Sequence, residues 1–252
     1  MPIGIMSAMP EEVHSLLGRF NARPEHVGDR EFLCGTLEGR EVVLVFSRWG
    51  KVAAAITATQ LIQRFGVTEL WFFGVAGAIT PDLRIGDIVV ADQLVQHDLD
   101  ARPLFPQFEI PLSGRGAVNA TPSVRDELLR SARAFVETSF ATSIPTATRA
   151  NFGIDVPKIV LGDIATGDRF VSTASDASAI RALTRSCICV DMESAAVAQA
   201  CIEQSIPFGI VRVISDRADE SAPIDFPGFV SEIVTVYADE IITRALRTKA
   251  LV

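Results

Sequence analysis

Residues 69–78 read ELWFFGVAGA, an apolar run of strand length that passes directly into a glycine-containing segment. Successive side chains of a strand point to opposite faces of its sheet, so a run that is apolar throughout is covered on both faces. Residues 69–73 therefore predict a central strand packed between two layers of helices. Residues 74–78 are expected to follow the end of this strand.

Similar apolar runs alternate with helical patterns along the whole chain. Further strands are predicted at residues 3–8, 41–46, 87–91, 158–161, 187–190 and 208–214. Helices are predicted at residues 52–65, 123–136, 192–204 and about 226–246. The sequence contains no fixed-period repeat, and the loop richest in proline and glycine is at 102–121. We therefore predict a single α/β domain over residues 1–252, with three layers and a mixed, mainly parallel central sheet.

The composition is that of a globular protein, since 48% of the 252 residues are hydrophobic and 21% are charged. A formal net charge of −8 argues against nucleic acid or an anionic membrane as the main partner. Residues 1–10 lack the basic segment of a secretion signal, and no apolar run approaches the roughly 20 residues that cross a bilayer. We expect a cytoplasmic protein with free, mostly buried thiols. The cysteines are Cys34, Cys187, Cys189 and Cys201.

Chemically useful residues follow several predicted strands, where ligands bind in open α/β sheets. Glu11 and Glu12 follow the first strand, Asp191 and Glu193 follow the strand at 187–190, and Asp216 follows the strand at 208–214. A parallel sheet would bring these carboxylates to one edge, where they could supply both an acid and a base.

Each of these features also has a structural explanation. Acidic residues are favoured in the first turn of a helix, and Asp216 could cap a turn. The glycines of 74–78 match neither dinucleotide-binding spacing nor a phosphate-binding loop, so close backbone packing is their default explanation. Taken singly, none of these features identifies a site.

Seven short segments, taken in order, resemble the 5′-methylthioadenosine/S-adenosylhomocysteine nucleosidases of the purine nucleoside phosphorylase/uridine phosphorylase superfamily. They are residues 4–13, 50–55, 74–77, 86–90, 167–171, 191–196 and 211–216. They are distributed along nearly the whole chain, with the exception of 102–121. The resemblance implies a nucleoside phosphorylase-like fold and hydrolysis of the N-glycosidic bond of an adenosine-type nucleoside, releasing adenine and a 5-substituted ribose.

The resemblance also implies roles for individual residues. Asp216 resembles the acid that protonates the imidazole-ring nitrogen of adenine, and Glu12 the base that positions and deprotonates water. Glu193 resembles the group that accepts hydrogen bonds from the ribose hydroxyls, and Met192 the residue that packs on the sugar. Phe170 resembles the side chain that stacks on adenine.

The remaining matches concern substrate binding. The Val171 backbone would hydrogen-bond the adenine edge, and Arg212 would either orient Glu12 or form a structural ion pair. Trp49, Ala76 and Ser215 are also expected to contact the nucleoside. No cofactor or metal site is implied. The histidines His14, His26 and His97 do not cluster in sequence, and a structural or interface role is expected for the pair His97 and Asp98.

Two absences favour water over phosphate as the nucleophile. Related phosphorylases hold phosphate with arginines and an N-terminal loop, which is replaced here by residues 8–12; anionic Glu12 would repel phosphate. A second phosphate arginine is replaced by Phe72. The alternatives are a phosphorylase, a hydrolase of another 5′-modified purine nucleoside such as futalosine, or a nucleoside-binding protein without catalysis.

Some positions depart from the family pattern. Val75 replaces a serine that contacts ribose, and Arg48, Trp49 and Arg169 add bulk or charge near the expected 5′ and adenine positions. We therefore predict that the preference for the 5′ substituent differs from a plain methylthio preference. The family is usually homodimeric, with the neighbouring subunit closing the 5′ pocket. The loop residues proposed to contribute there are Phe105, Pro106 and Phe108.

Overall fold

The computed structural model describes residues 1–218 and 226–250, in which ten strands form one sheet. The strands are β1 Ile3–Ser7, β2 Asn21–Val27, β3 Arg30–Leu37, β4 Arg40–Phe46, β5 Glu69–Ala78, β6 Ile88–Gln96, β7 Val118–Asn119, β8 Ile159–Thr166, β9 Cys187–Asp191 and β10 Phe208–Asp216. The helices are α1 His14–Leu17, α2 Lys51–Phe65, α3 Pro122–Thr138, α4 Phe140–Ser143, α5 Thr146–Asn151, α6 Ala174–Thr184, α7 Ser194–Glu203, α8 Phe226–Phe229 and α9 Thr235–Ala250. A 3-10 turn spans Pro10–Val13, and a π turn at Val230–Val234 joins α8 to α9.

The predicted burial of the 69–73 strand on both faces is confirmed. Trp71 and Phe73 pack into one apolar cluster with α3 and α9, whereas Leu70 and Phe72 pack into a second cluster with α2 and α7. Helices therefore cover both sides of the sheet. None of the helices within 1–218 and 226–250 is long and apolar enough to cross a bilayer.

The sheet is mixed, but the expectation that it is mainly parallel is only partly correct. Of the ten strand pairings in the described residues, five are parallel and five antiparallel. Strands β5, β10, β6, β8 and β9 close into a ring, and β1, β4, β3 and β2 extend from β5 as an open sheet. Two-residue turns at Gly28 and Gly39 make β2, β3 and β4 antiparallel neighbours, because a tight hairpin turn reverses the chain.

Strand β5 joins the open sheet to the ring by changing partners along one edge. Residues 69–72 pair with β1, and Gly77 and Ala78 pair with β9, while β10 runs along the other edge. The glycine segment 74–78 therefore lies within β5, and the prediction that it follows the strand was wrong. Ser215 and Asp216 likewise end β10, and Asp191 ends β9, so the apolar runs underestimate the length of these strands.

Candidate active site

A cavity of about 380 Å³ opens at the carboxyl ends of β1, β5, β9 and β10. It is lined by all ten residues to which the sequence assigned a catalytic or substrate-binding role: Glu12, Trp49, Ala76, Phe170, Val171, Met192, Glu193, Arg212, Ser215 and Asp216. Residues that the sequence did not assign to binding also line it: Ala8, Met9, Gly77, Val190, Asp191, Phe226 and Pro227. Val75 and Arg169, noted above as departures, complete the wall.

Glu12 lies on the 3-10 turn after β1, and its side chain is only 1% exposed. Its Oε2 accepts hydrogen bonds from the backbone N–H of Ala8 at 2.9 Å, from that of Met9 at 3.0 Å and from the Ser7 hydroxyl. Burial raises the pKa of Glu12, although these hydrogen bonds and the Arg212 charge act in the opposite direction. A carboxylate with a raised pKa is better matched to proton transfer near neutral pH than an exposed one.

The other carboxylate oxygen of Glu12 is bound by β5, at the point where this strand changes its pairing partner. Val75 lies between the parts of β5 that pair with β1 and β9, and its backbone N–H donates to Glu12 Oε1 at 3.2 Å. At Gly74, an added Cβ would lie 2.6 Å from Arg212 Nη1 and 2.8 Å from Glu12 Oε1. The glycine allows both charged groups to approach the strand backbone, which agrees with the close-packing explanation.

Arg212 is 1% exposed and forms an ion pair with buried Asp191, with Nε 2.7 Å from Oδ2. Its guanidinium also lies over the Phe72 ring, 4.0 Å from the centroid. Of the two roles left open for Arg212, the structure therefore shows the ion pair, with a partner that the sequence did not identify. Nη1 and Nη2 have no hydrogen-bond partner among the described residues. Unpaired buried donors are rare, so this part of the guanidinium is suited to bind a ligand.

Asp191 anchors several parts of the site. In addition to Arg212, it accepts hydrogen bonds from Thr166 Oγ1 at 2.6 Å and from the hydroxyl and backbone N–H of Ser194, the latter at 3.2 Å. A buried arginine inside an apolar strand requires a carboxylate partner. The position of Arg212 in such a strand was the only sequence signal for the role of Asp191. Asp191 thus joins β8, α7 and β10 beneath the cavity.

Glu193 lies at the start of α7 with 6% exposure, and its Oε1 accepts a hydrogen bond from the Gly50 N–H at 2.9 Å. Burial, reinforced by the nearby Asp191 carboxylate, raises the pKa of Glu193 to about 7. The helix predicted from residue 192 begins only at Ser194, so Met192 and Glu193 precede it and both line the cavity.

Asp216 is buried at the end of β10, where the register shifts between Ile214 and Asp216. Its Oδ1 accepts a hydrogen bond from the Ala218 N–H at 2.7 Å, and its Oδ2 from the Ser215 hydroxyl at 2.7 Å. These contacts fix the carboxyl group of Asp216 at the cavity wall.

Aromatic side chains line the outer part of the cavity. Trp49 is 59% exposed and Phe170 50%, and Phe226 is half-buried beside them. Arg169 also lines this part and pairs with Asp176 at 2.6 Å. Arg48 is not among the residues that line the cavity, and its guanidinium pairs with Asp29 at 2.8 Å. An effect of Arg48 on the 5′ substituent therefore stays a prediction, without a direct contact to the cavity wall in the described residues.

The described residues contain no group of three or more His, Cys, Asp and Glu side chains arranged to hold a metal ion. The four cysteines are free thiols; Cys187, Cys189 and Cys201 are buried, and Cys34 is partly buried.

Comparison with known proteins places these features in a family context. The sequence profile of the Phosphorylase superfamily matches residues 2–247. The 5′-methylthioadenosine/S-adenosylhomocysteine nucleosidase of Shewanella denitrificans is 32% identical over 231 residues, which cover 91% of this chain and 92% of that protein.

Two solved structures show the same fold. The nucleosidase of the same description from Neisseria meningitidis, in complex with methylthio-immucillin-A, has a TM-score of 0.85 and 26% identity, covering 98% of this chain and 99% of that one. The futalosine hydrolase of Helicobacter pylori has a TM-score of 0.79 and 30% identity, with 97% of each chain covered.

Proposed function

The chain belongs to the Phosphorylase superfamily and, within it, to the 5′-methylthioadenosine/S-adenosylhomocysteine nucleosidases, and we propose that its cavity cleaves the N-glycosidic bond of such nucleosides with water. The products are adenine and the 5-substituted ribose. The observation that carries the proposal is the buried Glu12 carboxylate beside the unpaired donors of Arg212, in one cavity with Asp216 and Glu193.

Cleavage of this bond places positive charge on the ribose and negative charge on the departing base. Asp216, in its protonated form, donates its proton to the imidazole-ring nitrogen of adenine, so that the base leaves neutral. The electron pair of the broken bond stays with the base. The ionised Glu193 accepts hydrogen bonds from the ribose hydroxyls and stabilises the sugar cation, and Met192 packs on the sugar.

The water molecule adds to the anomeric carbon and loses one proton to Glu12. Nη1 of Arg212 and Oε1 of Glu12 both lie within 3 Å of the point where a Gly74 Cβ would stand. A water bound in the cavity beside these two side chains accepts a hydrogen bond from the guanidinium and donates one to the carboxylate. Arg212 thus orients the nucleophile, while its Nε remains bound to Asp191.

Adenine stacks on Phe170, and the Val171 backbone bonds its edge, while Ala76 and Ser215 contribute to the same wall. Trp49 lies at the 5′ end of the nucleoside. The carboxylates of Glu12 and Glu193 repel a phosphate ion at this position, which favours water. Futalosine is the second candidate substrate, because a futalosine hydrolase shares this fold at 30% identity and because Trp49 and Arg169 depart from the family pattern at the cavity entrance.

We further propose that the protein works as a homodimer in the cytoplasm. Large apolar side chains are exposed on α2 and on the loop before β7: Val52 at 71%, Ile56 at 46%, Leu104 at 83% and Leu112 at 91%. A second copy covering these side chains would remove a sizeable apolar area from water. Phe105, Pro106 and Phe108 of that copy would then close the 5′ end of the cavity.

The test is adenine release from methylthioadenosine by the purified protein, with and without phosphate, with identification of the sugar product. We expect phosphate-independent release and free methylthioribose. Release only with phosphate, together with a sugar phosphate, contradicts hydrolysis. If methylthioadenosine is inert while futalosine is cleaved, the second candidate replaces the first.

A further inference from the structure

We propose that Lys51 is a positioning residue that holds the ribose-binding and adenine-binding parts of the cavity in register through the N-terminus of α2. The inference rests on the proposed function, because it assigns the ribose to Glu193 and adenine to Phe170. Lys51 itself lies outside the cavity wall and acts through the backbone and carboxylates that it holds.

The first observation is the way in which α2 begins. The first amides of a helix have no partner within the helix, and a side chain of the preceding residue often binds them. Gly50 has no side chain, and distant carboxylates take over this role. Gly50 N–H donates to Glu193 Oε1 at 2.9 Å, and Lys51 N–H donates to Asp168 Oδ1 at 2.8 Å. Two consecutive amides thus connect the ribose-binding carboxylate to the segment that carries Phe170.

The backbone of Gly50 makes this double contact possible. Its φ of 94° lies in the left-handed region, and an added Cβ would stand 3.2 Å from Asp168 Oδ1. A residue with a side chain would be strained here and would press on the carboxylate. The position of α2 relative to Asp168 therefore depends on close contact between them.

The Lys51 side chain binds Asp98 and Asp168 outside the cavity wall. Its ammonium lies 2.5 Å from Asp98 Oδ1 and 3.8 Å from Asp168 Oδ2, and its side chain is only 17% exposed. Asp98 Oδ2 in turn accepts a hydrogen bond from the Asp168 N–H at 3.0 Å. Lys51, Asp98 and Asp168 thus form a bracket around the start of α2, and Asp98, expected from the sequence to have a structural or interface role, is its outer part.

The charge state of the bracket suits this function. Burial opposes ionisation of Asp98, but the hydrogen bonds from Lys51 and from the Asp168 N–H outweigh it and lower the pKa of Asp98. Asp98 is therefore ionised at neutral pH and can hold the Lys51 ammonium. A partly exposed ion pair contributes little to global stability, so loss of Lys51 should affect the alignment of the site more than the folded fraction.

The central experiment compares Lys51→Met with Lys51→Arg and with a control at the other end of the same helix, Arg64→Met. Arg64 pairs with Glu25 at 3.6 Å and does not line the cavity. Each protein is assayed for kcat and KM with methylthioadenosine, for adenine affinity by calorimetry, and for thermal unfolding.

For Lys51→Met we expect kcat/KM to fall about tenfold, mainly through KM, and adenine affinity to fall about threefold, at an unfolding midpoint near that of the wild type. Lys51→Arg should recover most of the loss, and Arg64→Met should resemble the wild type. A merely structural role would lower the active fraction, and hence kcat, without changing KM or adenine affinity, and that result overturns the proposal. Unchanged KM and adenine affinity at full stability overturn it as well.

If Lys51→Met does not fold, Asp98→Asn tests the same bracket, because it keeps the shape of the side chain and removes its charge. Asp98→Asn should reproduce the rise in KM. An unchanged KM in this variant contradicts the proposed role of the bracket. Failure of the proposed function is recognised separately, as absence of turnover by the wild type. Adenine affinity then still decides whether Lys51 aligns the cavity, and a wild type without adenine affinity contradicts both proposals.

Discussion

Five ionisable side chains form the floor of the cavity, whereas its mouth consists mainly of aromatic side chains that solvent still reaches. The floor comprises Glu12, Asp191, Glu193, Arg212 and Asp216, all less than 9% exposed. The mouth comprises Trp49, Arg169, Phe170 and Phe226, of which Trp49 and Phe170 are at least half exposed. Each floor carboxylate accepts hydrogen bonds from the backbone, while Arg169 has a carboxylate partner on α6.

The difference follows from the cost of burying charge. A buried carboxylate without hydrogen bonds is strongly destabilising, so every floor residue depends on the amides and partners around it. The mouth residues carry no such requirement and can change while the floor remains intact. We propose that the floor carries out the reaction, and that Trp49 and Arg169 at the mouth adjust which 5′ substituent enters.

The largest effect is expected from breaking the floor at Asp216. Asp216→Asn keeps the shape of the side chain but removes the transferable proton, so kcat should fall by about 1,000-fold or more. Binding of adenine should change by less than about tenfold, because the mouth is untouched. Steady-state kinetics and calorimetry measure the two quantities, with Asp29→Asn as a control carboxylate outside the cavity. Undiminished kcat in Asp216→Asn would remove Asp216 from the role of acid.

The next effect tests the close packing behind the floor. In Gly74→Ala the new methyl group meets Arg212 and Glu12 at less than 3 Å, and the resulting displacement should lower kcat/KM by about 100-fold. Gly116→Ala is the matched control, because no atom lies within 4 Å of its added methyl group. Equal activity of the two variants would show that the floor tolerates movement.

A third prediction concerns the pH dependence of stability. Glu193 has a pKa of about 7 in the folded protein against an ordinary 4.5, so the folded state holds more protons between these values. Its contribution therefore makes the free energy of unfolding decline as pH rises from 4.5 to 7. Glu193→Gln removes this decline. From pH 4.5 to 7, the free energy of unfolding of the variant should therefore rise by on the order of 2 kcal/mol relative to that of the wild type.

Urea unfolding of both proteins at several pH values measures that difference. The difference between Glu193→Gln and wild type should be flat above about pH 8. The matched control is Glu11→Gln, which removes an exposed carboxylate outside the cavity wall and is measured at the same pH values. A constant difference between Glu193→Gln and wild type from pH 4.5 to 8 contradicts the raised pKa.

The smallest effect is expected at the mouth. Trp49→Leu and Arg169→Ala should change the ratio of kcat/KM for S-adenosylhomocysteine and methylthioadenosine by about threefold to tenfold, leaving the pH profile of kcat intact. Arg48→Ala is the control, because Arg48 lies outside the cavity wall. An altered 5′ preference would be contradicted if the wild type cleaved both nucleosides with equal, high efficiency and if these variants did the same.

The contrast between floor and mouth also explains what the sequence could predict. Buried strands were recognisable because runs such as 69–73 are apolar throughout, and carboxylates next to them stood out. The hairpin of β2 and β3 was missed, since NARPEHV at residues 21–27 is polar and contains a proline. Ring closure was missed too, because the pairings of β10 with β6 and of β9 with β5 join distant segments.

Within the site, residue types were predictable and partnerships were not. The sequence identified Arg212 but not its ion pair with Asp191, 21 positions away. The link between Gly50 and Glu193 spans 143 positions and involves a backbone amide, which leaves no mark on residue type. Such contacts depend on where strands and helices meet, and only the folded chain brings them together.

The closed ring has a further consequence for association between molecules. A free sheet edge invites strand addition from another chain, and ring closure removes both edges from five of the strands. The open sheet ends at β2, whose residues Arg23, Pro24 and Glu25 place charge and a missing N–H donor where an incoming strand would pair. Edge-to-edge aggregation is therefore disfavoured at this end of the sheet.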